Sequence, residues 1–297
     1  MSSAFRSPLR YPGGKRRLAN FFKLLMVENR LVGRPYVEAY AGGASVALAM
    51  LFEEYASEVY INDLNAGVHA FWSSALKETR ALCEKILDTP VTIEEWHRQR
   101  EVFRGDTKDE LALGFATFFL NRTNRSGIIA GGVIGGLDQS GPWKLDARFN
   151  KEDLVARIRK IGRFAPRIHL LQREGIQLTQ ELLPQLEGSP LVYFDPPYFV
   201  KGGDLYQNSY EPGHHVELAA AIRLLEIPWV VSYDAAPEIV DIYSWARETS
   251  YSITYSAGER GRGTEVMYLS AGLRMPDVRT PVMVPASRVN SALMARL

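Results

Sequence analysis

Asp195-Pro196-Pro197-Tyr198 follows directly on an apolar run, Leu191-Val192-Tyr193-Phe194. The run has the β-branched and aromatic make-up of a buried strand. Two consecutive prolines end it, because neither ring leaves an N–H for a sheet ladder. One carboxylate, the Pro196 carbonyl and the Tyr198 ring are thereby gathered at a strand's C-terminal edge, where open α/β sheets bind ligands. The trio is suited to gripping the amino group of a flat heterocycle, with two acceptors for its hydrogens and a ring to stack on it. A strand-ending loop with an aspartate cap is the plainer reading of the same residues.

A second constellation lies upstream. Tyr36 to Tyr40 reads as a strand, Ala41-Gly42-Gly43-Ala44-Ser45 as the tight turn after it, and Val46 to Glu54 as a helix. Val59-Tyr60-Ile61 is another short strand, ending in Asn62-Asp63-Leu64-Asn65. An acid about 20 residues beyond a Gly turn in a βαβ unit is the layout that holds an adenosine ribose. Gly42-Gly43 falls short of the full dinucleotide fingerprint, and nothing resembles a hydride-transfer site, so a nicotinamide oxidoreductase is the weaker reading. Cys83, the single cysteine, sits in a helical pattern as a structural thiol. It rules out an intrachain disulfide, fits a reducing cytoplasm and offers no thiolate nucleophile at any turn. The five histidines lack ligand spacing, so no metal site is expected.

The elements that position these groups form an α/β pattern with an interruption. Asn65 caps a helix running to about Leu87, and helical stretches follow at Thr92–Phe103, Glu110–Leu120 and Lys151–Phe164. Between them Gly127 to Trp143 carries six glycines, the mark of a hairpin or loop. Strands resume at Ile168–Leu171, Leu191–Phe194, Trp229–Ser232, Tyr251–Tyr255 and Val266–Ser270. Residues 88–165 are therefore an insertion between 1–87 and 166–274, and 275–297, with three prolines, is an irregular tail. A chain of 297 residues with 46% hydrophobic and 23% charged content has the balance of a globular protein. No run of ~18 apolar residues suggests a membrane span, and the polar N-terminus lacks a secretion signal's apolar core. The net charge is +1, yet Lys144 to Arg173 holds nine basic residues against three acids, a surface that could track phosphates.

Taken together, the motifs resemble the Dam-like family of DNA adenine methyltransferases. Leu9-Arg10-Tyr11-Pro12-Gly13-Gly14-Lys15 is similar to the family's opening, Val37 to Val46 to its cofactor turn, and Leu120-Asn121-Arg122-Thr123-Asn124-Arg125-Ser126-Gly127 to the segment that begins its DNA-reading hairpin. Asp195 to Tyr198 matches its catalytic tetrapeptide, and the order of the four agrees. The resemblance implies a Rossmann-like methyltransferase sheet with helices on both faces, an inserted, mainly helical target-recognition domain with a β-hairpin, and methyl transfer from S-adenosylmethionine to adenine in double-stranded DNA. Cytosine-N4 methylation, or DNA binding without catalysis on the same fold, are the alternatives.

By the same resemblance Asp195, Pro196 and Tyr198 are catalytic. Tyr11, Lys15, Glu38, Ala41, Gly42, Gly43, Asp63, Glu174 and Asp195 hold the cofactor, Lys15 at its carboxylate and Glu38 by ordering the turn. Arg122, Asn124, Arg125 and Ser126, with Arg260 and Arg262 on a second basic loop, meet DNA. A partner restriction endonuclease and a monomer or weak dimer are in keeping with such an enzyme. Four positions depart from the family pattern: Tyr11 stands for tryptophan, Ala39 for proline, Ala44 for a frequent glycine and Glu174 for aspartate.

Overall fold

The structure is a computed structural model and describes residues 7–10, 15–199, 210–254 and 262–296, the side chains of 252–254 and 262–263 excepted. Seven strands form one sheet: β1 (Tyr36–Glu38), β2 (Val59–Asn62), β3 (Ile168–Leu171), β4 (Leu191–Phe194), β5 (Trp229–Asp234), β6 (Arg247–Thr254) and β7 (Arg262–Leu269). Their order is β3-β2-β1-β4-β5-β7-β6, with β1 to β5 parallel and β7 antiparallel to both its neighbours. The chain starts in the middle, winds outward through β2 and β3, then returns to β4 on the far side of β1. That reversal opens a crevice at the carboxyl ends of β1 and β4.

Both faces of the sheet are covered, as its near-continuous apolar strands require. Because side chains alternate along a strand, Tyr36, Leu191, Tyr193, Val230, Met267 and Leu269 fall in one core, and Val37, Val192, Phe194, Val231 and Tyr268 in the other. The first core is built with α1 (Ala19–Glu28), α2 (Ser45–Phe52), α3 (Ala66–Lys77), α4 (Thr79–Asp88), α5 (Ile93–Arg104), α6 (Glu110–Thr123) and α7 (Lys151–Arg163). The second includes residues after α8 (Gly175–Gln177) and from α9 (Pro212–Arg223) and α10 (Pro237–Ile242). This is the Rossmann-like α/β sheet expected from the sequence. No helix among the described residues is long and apolar enough to cross a membrane.

Asn65 caps α3 as expected, accepting Val68 N–H at 3.0 Å. The single helix expected to reach Leu87 is two, however. Glu78 leaves helical geometry (φ −123°, ψ 34°), and α4 turns to meet α7 where Gly162 lies against Thr79. A Cβ on Gly162 would come within 2.5 Å of the Thr79 hydroxyl.

Within 88–165 the core does not break. Trp96, Phe115, Phe118, Phe119 and Phe149 are buried with Phe71 and Trp72 of α3. α6 approaches α3 so closely that a Cβ at Gly114 would sit 2.5 Å from the Ala70 carbonyl oxygen. Of the expected hairpin only one antiparallel bridge forms among the described residues, Asn124 with Val133. Left-handed backbone at Ser126, Gly127, Gly135 and Gly136 curls the segment into turns instead. The Gln139 side chain knits these turns through Ile134, Gly136 and Leu145.

The tail expected to be irregular carries a helix, α11 (Ala286–Met294), that packs on α1. Val289 is its buried contact, and Asn20 donates to the Val284 carbonyl at 2.9 Å just before it. The three prolines at 276, 281 and 285 all precede the helix, so none interrupts it.

Candidate active site at the carboxyl edge of the sheet

Strand parity explains why polar groups converge beyond the apolar strand ends. Glu38, Asp195 and Ser232 share the face of Tyr36, Tyr193 and Val230, two residues further on in each strand. Asp195 is part-exposed, its side chain at 22%. Both of its polar contacts among the described residues fall on Oδ1: the Ser232 hydroxyl donates at 3.0 Å and the Lys15 ammonium lies at 3.2 Å. The Ser232 hydroxyl in turn shares a hydrogen with Tyr193 at 2.7 Å. Burial pushes the Asp195 carboxyl up to about 6; Lys15 pulls against that rise and Glu265 adds to it.

Lys15 enters from a short 3-10 turn, Lys15–Leu18, that leads into α1. Its ammonium is buried and faces four oxygens: both of Glu265 at 2.8 and 2.9 Å, Asp195 Oδ1, and the Tyr198 hydroxyl at 3.3 Å. An ammonium has three protons to give, so this arrangement favours an internal role over the cofactor-carboxylate contact expected of Lys15. Burial alone would drive the lysine toward its neutral form. Asp195, Tyr251 and Glu265 outweigh it and hold the proton well above the ordinary lysine range.

Pro196 is buried beside Asp195. Tyr198 is only 4% exposed; its hydroxyl donates inward to Glu265 at 2.9 Å and its ring stands 5.3 Å from the Lys15 ammonium. Phe199 N–H donates to Asp234 at 3.0 Å, fixing the exit of the tetrapeptide.

The Gly turn after β1 is held from both sides. Asp63 accepts Gly42 N–H at 2.8 Å through one oxygen and Asn65 N–H at 3.0 Å through the other. A carboxylate has about four acceptor sites, so both oxygens keep acceptor capacity. Burial pushes Asp63 up to about 6 against the pull of those amides. Trp72 donates to the Gly42 carbonyl at 2.9 Å from α3. Glu38 accepts Ala47 N–H at 2.9 Å in the first turn of α2, tying the helix that follows the Gly turn to β1, and burial raises it to about 8. Ala44, where the family often has glycine, is left-handed at φ 46°. Ala41 is buried at the start of this turn, and Gly42 is left-handed in it; Gly43 completes it as the residue between Gly42 and Ala44.

Glu174 follows β3 and caps α8, accepting Ile176 N–H at 2.6 Å and Gln177 N–H at 3.0 Å through Oε2. Its Oε1 takes the Tyr210 hydroxyl, which pairs with Tyr40 at 2.8 Å. The extra methylene relative to aspartate is thus spent on a cap and a tyrosine pair beside the Gly turn.

Two of the residues expected to read DNA are structural. Arg122 is buried and donates to the Arg148 carbonyl at 2.7 Å, with Pro8 at 3.5 Å. Burial, with Arg10 and Arg157 nearby, lowers it to about 9. Asn124 is fully buried: it accepts Trp96 Nε1–H at 2.7 Å and donates to the Ile128 and Ile129 carbonyls. Both belong to the last turn of α6 and its cap, where the helix packs inward, so the polar run concealed a core position. Arg125 is exposed and Ser126 half-buried, both free of that constraint. Tyr11 and Arg260 lie outside the described residues, as does the Arg262 side chain.

Glu265, Tyr251, Ser232, Tyr193 and Tyr210 were not singled out from the sequence. Glu265 had a signal: it precedes Val266-Met267-Tyr268-Leu269 and has the parity of Met267 and Leu269, an acid in an apolar alternation. Because β7 is antiparallel, its early residues lie at the carboxyl edge of β5, and Glu265 pairs with Asp234.

Among solved structures, the chain is similar to the rRNA methyltransferase aviRa from Streptomyces viridochromogenes, with 14% identity over 89% of this chain and 88% of that one, at a TM-score of 0.39. It is also similar to protein LPL1258 from Legionella pneumophila, with 12% identity over 96% and 92% of the two chains, at a TM-score of 0.34. No curated protein matches the chain. Residues 11–256 match the D12 class N6 adenine-specific DNA methyltransferase family. That span takes in the Gly turn, Asp63, the helical insertion and the Asp-Pro-Pro-Tyr tetrapeptide, and the chain belongs to the family of D12 class N6 adenine-specific DNA methyltransferases.

Proposed function

We propose that the chain transfers a methyl group from S-adenosylmethionine to the exocyclic amine of an adenine swung out of double-stranded DNA at a specific sequence. The observation that carries this reading is Asp195: a part-exposed carboxylate at the switch-point crevice, with its protein contacts on Oδ1. Oδ2 is then available to an amino hydrogen, and the Pro196 carbonyl to the other.

The adenine amine is a poor nucleophile because its lone pair is delocalised into the ring. Two acceptors on its hydrogens draw the nitrogen toward tetrahedral geometry and free the pair for attack. When bound, S-adenosylmethionine supplies a methyl on a sulfonium, and the sulfur keeps the electron pair of the broken C–S bond as a thioether. The amine nitrogen, having gained the methyl, sheds a proton, and Asp195 is placed to take it. Orientation and fixed electrostatics supply the catalysis, and near-attack placement alone is worth up to ~7–11 kcal/mol.

The Gly turn and Asp63 fit the nucleoside end of this donor, since a small-residue turn allows close approach and the acid keeps acceptor capacity. Glu174 is linked through Tyr210 to Tyr40, the residue that leads into the Gly turn. Tyr198 is the platform for the extruded base, its hydroxyl anchored on Glu265. Residues 88–165 are the recognition unit, with Arg125 and Ser126 at the DNA surface and Arg260 and Arg262 as a second contact. The experiment is incubation with labelled S-adenosylmethionine and duplex DNA, followed by nucleoside analysis. Label in N6-methyladenine supports the reading; label in N4-methylcytosine, or none, overturns it.

A further inference from the structure

Glu265 is fully buried, and both of its oxygens are committed twice over. Oε1 accepts the Lys15 ammonium at 2.8 Å and the Tyr198 hydroxyl at 2.9 Å; Oε2 accepts Lys15 at 2.9 Å and the Tyr251 hydroxyl at 2.5 Å. The acid therefore joins three elements: the turn before α1, the tetrapeptide after β4 and the edge strand β6. Tyr251 and Glu265 are register partners across β6 and β7.

One ammonium serves two carboxylates here. Glu265 takes it through both oxygens, and Asp195 receives a longer contact on one. We propose that Glu265 is a positioning residue for methyl transfer: it holds Lys15 and Tyr198 inward, so that Lys15 steadies Asp195 without neutralising it and the Asp195 carboxylate stays a strong acceptor for the target amine.

This rests on the reading of Asp195 as the amine's acceptor. The governing physics is competition. A lysine paired to Asp195 alone would withdraw electron density from the oxygens that must polarise the amine. A lysine removed altogether would leave two acids in a buried site, a costly arrangement that protonation relieves. Sharing gives the intermediate state. Other groups bear on Asp195 or its lysine from the surrounding elements: Tyr36 and Glu38 on β1, Tyr193 on β4, Tyr198 beyond it and Tyr251 on β6. None of them brings a second positive charge, so the balance between Asp195 and Glu265 is set through Lys15.

The test is a carbon-13 carboxyl NMR titration of Asp195 in the wild type and in Glu265→Gln, its resonance assigned by its absence in Asp195→Asn. Glutamine keeps the side chain's size and removes the charge, leaving one acceptor oxygen where the carboxylate has two. The Asp195 midpoint falls by about one unit or more in Glu265→Gln as Lys15 shifts to it alone, and kcat falls while cofactor Kd stays within about threefold. An unmoved midpoint overturns the proposal. Should Glu265→Gln not fold, Tyr251→Phe serves. It removes the donor at 2.5 Å, Glu265 then draws harder on Lys15, and the Asp195 midpoint rises; no rise overturns the proposal. The titration needs no turnover. A wild type that fails to methylate adenine strikes the reading of function, whereas a static midpoint strikes the role of Glu265.

Discussion

The Lys15 ammonium lies closer to Glu265, at 2.8 Å, than to Asp195, at 3.2 Å. Two residues 250 positions apart in the chain are thereby joined under the Asp-Pro-Pro-Tyr tetrapeptide. The link is possible because β7 enters the sheet in reverse and brings Glu265 to the edge where the parallel strands end. The acid of the tetrapeptide stays at the crevice while its counter-ion is anchored from inside.

Asp195→Asn stabilises the fold at neutral pH. Burial raises the folded-state carboxyl to about 6 from its ordinary 3.8. Between those values the folded chain binds more protons than the unfolded one, so stability is lost as pH rises through that window. Asparagine removes that cost, and thermal melts at pH 7.5 should show a gain of about 1–2 kcal/mol. A melt below that of the wild type would show that the pair with Lys15 outweighs burial.

Glu38 gives a second pH signature. It is raised to about 8 by burial, from an ordinary 4.5. By the same sign argument stability declines as pH climbs from about 4.5 to about 8. Glu38→Gln can still accept Ala47 N–H, and chemical denaturation across pH 5 to 8 should show a shallower decline than in the wild type. Equal slopes would remove Glu38 as a source.

The acid limb of turnover follows Asp195. A carboxylate that must accept the amine's hydrogens fails once protonated, so single-turnover rates should fall as pH drops through about 6. A flat profile between pH 5 and 7.5 would refute this dependence.

Asn124 and Arg125 should separate cleanly although they are neighbours. Asn124→Ala leaves the Trp96 indole N–H and two carbonyls without their partner and costs about 2–3 kcal/mol in thermal melts. Arg125→Ala, at an exposed position, leaves the melt within about 0.5 kcal/mol and weakens or relaxes site choice on DNA. Full specificity in Arg125→Ala would exclude it from the reading set.

These contrasts mark what was legible in the sequence. The strands Leu191–Phe194 and Ile168–Leu171 coincide with the expected runs, because short apolar runs of this composition encode strands directly, whether buried throughout as in β4 or half-buried at the sheet edge as in β3. Asp195 and Asp63 were legible because each ends such a strand. Arg122 and Asn124 were misread because polarity alone does not say which face of a helix's last turn is inward. Glu265 escaped notice because its role depends on the reversed edge strand, a long-range pairing that local pattern does not carry. The α11 helix was hidden by the prolines that precede it.

The most direct check on Asp195 is the single-turnover rate of methyl transfer to adenine in duplex DNA, compared between the wild type and Asp195→Asn, with S-adenosylmethionine binding measured on both. Transfer should slow by at least ~100-fold in the variant, with cofactor affinity within about threefold. Transfer by Asp195→Asn at the wild-type rate would remove Asp195 as the acceptor of the amine.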